Sequence, residues 1–491
     1  MFCFNINIER NIVIAKGNKF MAMEFWDIEV WSFLITMTML LGVMVLSNAM
    51  RRLIKPLRQS LIPSSVLGGF LLLLIDFTLK RLFKISLFDN MTLEALTYHG
   101  LGLGVVAITL TSDRQSGVDK KKERRTIFDF GVTVVSTYLM QAVIGLIVTI
   151  GLFYVMGMFP SAGLLLPMGF GQGPGQAYNW GNVYQNFWGF DDGASYGLTL
   201  AALGFVSASI GGLIYLERWK RKGVIKSYAN ADEEVDPTGE AVADANEIPL
   251  SESMDKLTVQ IALVFIGYFM TFLVMKGIDI IVETGVMGDF GYNTIRPLSW
   301  GFNFLFASFT AELLKTIMRL LKKGGLLKRE YTSDFLQNRI SGFMFDMMVV
   351  ASIAAINLEA FKVRSFLVSL VIMCASGLVL TYWYCDFVCK RIFPSIRHES
   401  FLALFGMLTG TNSTGIILLR EMDPTLKTPV AKYIFYQVVY ASMFGFPMIL
   451  LMGYAPRGLP QTWITFGAMI VLFAVMNIIL FRSRIFKRKL N

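Results

Sequence analysis

Apolar runs of roughly twenty residues, closed by basic clusters or polar turns, recur along the chain and predict membrane-spanning helices. In the first half they fall at about 27–50, 64–79, 93–112, 127–156 and 194–216. In the second half they fall at about 257–281, 297–321, 335–361, 366–388 and 430–454, with an eleventh at 463–481. Two further apolar segments, about 160–187 and 400–422, break the pattern. The first lies in a run with no Asp, Glu, Lys or Arg between Asp129 and Asp191, yet it places glycine at 169, 171, 173 and 175 and proline at 174. Such a stretch cannot continue as a helix. Hydrocarbon tolerates open backbone only where protein or a water-filled cavity supplies partners. Both segments therefore read as re-entrant hairpins, two half-helices meeting at a tip inside the membrane.

The basic clusters orient the spans. Arg51, Arg52, Lys55 and Arg58 follow the first, Lys120–Lys122 with Arg124 and Arg125 the third, and Arg218 and Lys220–Lys222 the fifth. Lys322 and Lys323, Lys390 and Arg391, and the basic tail from Arg482 close the seventh, ninth and eleventh. With cations kept on the cytoplasmic side, the N-terminus lies outside, and the linker and C-terminus lie inside. The second half then repeats the element order of the first upside down. The expected fold is an all-α integral membrane protein of two inverted five-helix repeats, each with a re-entrant hairpin, plus an extra C-terminal transmembrane helix. Its parts are an N-terminal extension at 1–26, a first repeat at 27–218, an acidic cytoplasmic linker at 219–255, a second repeat at 256–455, and a C-terminal helix with basic tail at 456–491.

Composition supports this class. Of 491 residues, 54% are hydrophobic and only 16% charged, against about a quarter charged in soluble domains. The net charge of +10 sits in short loops between spans, which excludes nucleic acid as the partner in favour of a lipid bilayer. Cysteines at 3, 374, 385 and 389 form no disulfide framework, and Cys385 and Cys389 read as packed thiols on one helix face. Two histidines and no nucleophile–base or metal-ligand pattern leave no catalytic set, so no enzyme and no cofactor is expected.

Chemistry concentrates at the tips. A half-helix that starts at a glycine turn offers unpaired N–H groups and the positive end of its dipole, which suit a carboxylate. One that ends there offers carbonyls, which suit a small cation when hydroxyl or amide oxygens complete the shell. The first tip supplies Gly169, Gly171, Gln172, Gly173, Gly175, Gln176 and Asn179 for the substrate, and the second adds Thr411, Asn412 and Ser413. Thr409, Gly410 and Thr414, with Asp346 from the eighth span, are the candidate Na+ ligands. Asp346 reads either as an ion or proton site or as a structural partner, because a carboxylate in a span is expensive. His99 reads as a proton carrier or a plain hydrogen-bonded histidine. Arg420 either holds a second substrate carboxylate or reaches the cytoplasmic face, and Glu312 pairs with Lys315. Gly68–Gly69 and Gly211–Gly212 read as helix packing.

The opening 63–69 (PSSVLGG), the glycine-rich first hairpin and the stretch 405–424 (FGMLTGTNSTGIILLREMDP) together resemble the glutamate–sodium symporter family. The resemblance covers about 27–455. It implies an inner-membrane protein that couples Na+ entry to uptake of L-glutamate, with an elevator movement of the hairpin-bearing domain within a homodimer. On that resemblance, the tips at 169–176 and 409–414 are the substrate and sodium region. The alternatives are the same fold carrying another dicarboxylate or amino acid, proton coupling or, more distantly, a channel or a membrane sensor.

Overall fold

The computed structural model describes residues 26, 28–111, 120–223, 255–327, 331–423 and 428–487, and among these it is helical with no strand. Nearly all of the expected N-terminal extension, 224–254 of the linker and the loop at 112–119 lie outside the described residues. The principal helices are α1 (Ile28–Leu53), α2 (Ser64–Phe83), α3 (Asn90–Leu110), α4 (Lys120–Met156), α5 (Pro174–Trp188) and α6 (Gly193–Arg221). After the linker come α7 (Lys256–Glu283), α8 (Asn303–Lys323), α9 (Asp334–Ala354), α10 (Arg364–Ile392), α11 (Arg397–Thr409), α12 (Asn412–Arg420), α13 (Val438–Tyr454) and α14 (Leu459–Lys487).

Eight helices among the described residues are long and apolar enough to cross a membrane: α1, α3, α4, α6, α7, α10, α13 and α14. A multi-pass membrane protein follows, because lipid offers no partner for free backbone and a helix pairs its own. The other expected spans, α2, α8 and α9, are formed but more charged, carrying Asp76, Lys80 and Arg81, Glu312, Lys315 and Arg319, and Asp334, Arg339 and Asp346 respectively. Lys315 is only 7% exposed. Its ammonium binds Glu312 at 2.8 Å and the carbonyls of Thr109 and Thr111 at 3.0 and 3.2 Å, capping the C-terminus of α3.

Three expected spans depart from their straight reading: the eighth, 335–361, is helical only to Ala354, the tenth, 430–454, is interrupted at Gln437, and the seventh is broken as well. The seventh, 297–321, is broken at Phe302 (φ −103, ψ 31), leaving Arg296–Gly301 as a separate turn and a half. The Leu305 N–H bonds the Phe302 carbonyl. The carbonyls of Trp300 and Gly301 are taken by the Tyr98 hydroxyl at 2.8 Å and the Asn179 amide at 3.0 Å.

The helices sort into two packed groups. In one, α9 lies along α3, and α2 against α9 is matched by α8 against α3, and α1 against α2 by α7 against α8. In the other, α4 packs on α10, with the segment from Pro160 to Gln172, α5, α6, α11, α12 and α13 around them. The extra helix α14 joins this second group. Arg482 reaches Asp129 at 2.9 Å, Thr462 meets Ser161 at 2.9 Å, and Asn477 bonds both Ser136 and Tyr384. In its most apolar window α6 is 72% buried, against 22% for α1, α7 and α14. The first is the spine of the second group, and the others leave most of that surface uncovered by the rest of the chain.

Candidate functional site

The first interrupted segment follows its glycines and prolines. Pro160–Leu164 is a 3-10 turn, Leu165–Pro167 a single α turn and Met168–Gln172 a π turn, a leading arm with no long regular hydrogen-bond ladder. The chain then reverses at Gly173 (φ 84, ψ −177), a conformation natural only to glycine. Pro174 opens the return arm α5, with no side chain capping its first N–H groups. The second segment differs. Its leading arm α11 is a regular helix ending at Thr409, and Gly410 and extended Thr411 (φ −142, ψ 172) make the break. Thr411 Oγ1 then caps α12 by accepting from the Thr414 N–H at 3.5 Å.

The two breaks meet. A Cβ built on Gly173 would lie 2.9 Å from Thr411 Cγ2 and 3.7 Å from the Gly410 carbonyl. The leading arms touch as well, Met168–Gln172 lying against α11. Helix α4 holds both from one face. Tyr138 Oη donates to the Gly171 carbonyl at 2.9 Å. One turn along, Gln141 Nε2 donates to the Leu408 carbonyl at 2.9 Å and to Thr381 Oγ1 at 3.0 Å. Each acceptor carbonyl stands two residues before the glycine of its own break. A helix that stops inside a protein leaves its last carbonyls unpaired, and α4 supplies a donor to each arm.

The expected site residues divide. Gly173, Gly410 and Thr411 come together at the contact between tips, with Thr414, fully buried, behind Thr411. Gly169 and Gly171 face protein: the space a side chain would need is filled by Leu200 and the Tyr138 ring. Gly175 lies against Met348 and Leu101 of the other helix group, its Cβ position 2.9 Å from the Met348 sulfur. Gln172 and Asn412 are half-buried, and Ser413 is exposed. Gln176 and Asn179 are buried on the return arm, 2% and 3% exposed. Asp346 is turned elsewhere. It precedes Met348 by two positions, about 200° around α9, and lies beside the Ser65 hydroxyl of α2. His99 Nδ1 rests 2.9 Å from the Tyr268 hydroxyl.

Residues that the sequence reading passed over are Tyr138, Gln141, Thr381, Trp180 and Glu94, the last accepting from the Tyr178 hydroxyl at 2.9 Å across the two helix groups. Gln141 carried the one usable signal, an amide in the middle of a span whose one charged residue is Asp129. Some of the orphaned polar atoms lie on these elements: Gln141 Oε1, Gln176 Oε1 and Nε2, Asn179 Oδ1 and Trp180 Nε1 are buried without a partner.

Fold and site define a multi-pass helical membrane protein in which two interrupted helices meet in the interior against buried, unsatisfied amides. The model of the sodium/glutamate symporter family matches residues 29–288. The chain belongs to that family, a family of transporters. The match covers the first interrupted helix and ends before the second. The searches of curated proteins and of solved structures returned no match.

Proposed function

We propose that the protein is a sodium-coupled symporter of glutamate or a closely related small carboxylate, binding it where the two tips meet. The observation that carries this reading is the contact of Gly173 with Thr411 and Gly410. Two helix breaks separated by more than two hundred residues of chain share one place. The uncapped start of α5 supplies N–H groups to a carboxylate, and Thr409, Gly410 and Thr414 supply oxygens toward Na+.

Each interrupted segment is read as a re-entrant hairpin of one of two inverted repeats. The paired contacts described above support that symmetry, and the cationic ends of α1, α6, α8 and α10 support the orientation. The group holding α4, α5, α6 and α10–α14 is the moving body, sliding as an elevator along the group of α1–α3 and α7–α9. The protein works as a homodimer in the inner membrane, with its N-terminus outside. Asp346, set apart from the tips, is read as a partner of Ser65 rather than a sodium ligand.

Counterflow of labelled glutamate into proteoliposomes, with and without a Na+ gradient, tests the reading. Sodium-stimulated, saturable uptake is expected. Uptake of equal rate without sodium would remove the coupling, and linear, unsaturable flux would replace a carrier by a channel.

A further inference from the structure

Three side chains on the return arm share one face of α5. Gln176, Asn179 and Trp180 stand at i, i+3 and i+4, the spacing that aligns side chains on a helix. They are 2%, 3% and 2% exposed. The face looks toward the break in the seventh span: the Asn179 amide N–H donates to the Gly301 carbonyl at 3.0 Å, and the Trp180 ring meets Phe302 edge-on at 5.2 Å.

Four polar atoms on this face have no partner: the acceptors Gln176 Oε1 and Asn179 Oδ1, and the donors Gln176 Nε2 and Trp180 Nε1. Each buried, unmet group costs about 1–3 kcal/mol, and native interiors hold few of them. Other unmet polar atoms lie elsewhere, but three neighbours on one helix face with unmet groups of both kinds favour a polar ligand over packing alone. A leucine or phenylalanine would fill the same space without that cost.

We infer that this face selects the substrate, with Trp180 and Gln176 as specificity-determining residues. The indole and amide N–H groups take carboxylate oxygens, and the two amide oxygens take the N–H groups of an α-ammonium. The inference rests on the transport reading above and narrows it, because a face with unmet acceptors favours an α-amino acid over a plain dicarboxylate, which brings no donor. A site built to bond a substrate N–H rejects an analogue lacking it far more strongly than shape alone can.

The test uses the full chain in proteoliposomes, with glutamate and with glutarate, which lacks the ammonium. Wild type is expected to prefer glutamate by at least about 100-fold. Gln176→Met, close in shape and without polar atoms, should shrink that preference by about tenfold or more. In the absence of substrate its thermal midpoint should hold or rise, because unmet polar groups have been removed. Trp180→Phe should raise KM by about tenfold, with the change falling on KM rather than kcat, as for an interaction made before the transition state. Variants that keep the wild-type KM and glutamate preference would overturn the inference. A lowered substrate-free midpoint of Gln176→Met with unchanged preference would do the same, making the face structural. If wild type moves no carboxylate with sodium, the transport reading falls, and this inference with it. If wild type transports and the variants are indifferent, only this inference falls.

Discussion

The two interrupted segments reach one place by different local chemistry. The first has no charge, an irregular leading arm and a break that only glycine can make, at Gly173 with φ 84. The second has a regular leading helix, α11, with Arg397 and Glu399 at its start and Arg420 at the end of its return arm. Its break, at Gly410 and Thr411, stays at negative φ. The return helix of the first starts with no side-chain cap, whereas that of the second starts under the Thr411 hydroxyl. Free N–H groups at one helix start and hydroxyl oxygens at the other make unequal tips, which on the function proposed above serve an anion and a cation respectively. A pair of identical tips would offer one kind of ligand site twice.

The sharpest way to break this comparison is to place a methyl group at each break. Gly173→Ala forces an L-residue into a left-handed conformation, at a cost of about 1–3 kcal/mol. It also drives Cβ to 2.9 Å from Thr411 Cγ2. Gly410→Ala meets the Thr414 hydroxyl at 2.9 Å and Phe205 at 3.1 Å, but from a backbone with negative φ. Glutamate uptake should be abolished by the first change and reduced by the second, and the thermal midpoint should fall further for the first. Equal losses would mean that the two breaks are built alike after all.

Next in size is the helix that serves both tips. Gln141→Leu leaves the Leu408 carbonyl without its donor, and Tyr138→Phe does the same to Gly171. A buried carbonyl stripped of its partner costs about 1–3 kcal/mol. Gln141 also bonds Thr381, so the expected order is about 2 kcal/mol for Gln141→Leu and about 1 kcal/mol for Tyr138→Phe, read from thermal unfolding in detergent. The reverse order would place the greater dependence at the first tip.

How far the sequence could be read depends on the range of the interaction. Both breaks were legible, because backbone conformation is set by adjacent residues: alternating glycines with Pro174 cannot continue a helix, and Thr409-Gly410-Thr411 places a polar turn in an apolar run. The pairing of Glu312 with Lys315 was legible for the same reason, being one helical turn apart. That Lys315 also caps α3 was not, because its acceptors lie more than two hundred positions away. Tyr138 and Gln141 belong to this second kind, since their partners are chosen by how helices pack. Asp346 shows the limit most plainly. Its cost in a span was legible, but the side of α9 on which it stands depends on packing against α2 and α5. The interruption at Phe302 was hidden because Pro297 and Gly301 in an apolar run are also compatible with a packed, continuous helix.

The smallest expected effect lies at the start of the second interrupted segment and has no counterpart at the first, since residues 130–190 contain no Asp, Glu, Lys, Arg or His. His398 lies in the first turn of α11, with Nδ1 2.8 Å from the Tyr215 hydroxyl and its ring edge-on to Trp219 at 4.5 Å. Burial and the neighbouring Arg397 hold its imidazole below the ordinary value of 6.5, with Asp386 opposing. Arg218 and Lys222 add further positive charge over the Trp219 ring. A folded-state value below the unfolded one means that the unfolded chain binds the proton more readily, so stability is present above about 6.5 and is lost as pH falls through and below it. A charge forming at a helix start, where the dipole is positive, acts in the same direction. The thermal midpoint should therefore drop by no more than about 2 °C between pH 7.5 and pH 5.5 on account of this residue. His398→Asn, which keeps a polar partner for Tyr215 without titrating, should flatten that part of the slope. If the slope is the same with asparagine in place, the acid sensitivity resides in other groups, and the start of the second interrupted segment is no more responsive to protons than that of the first.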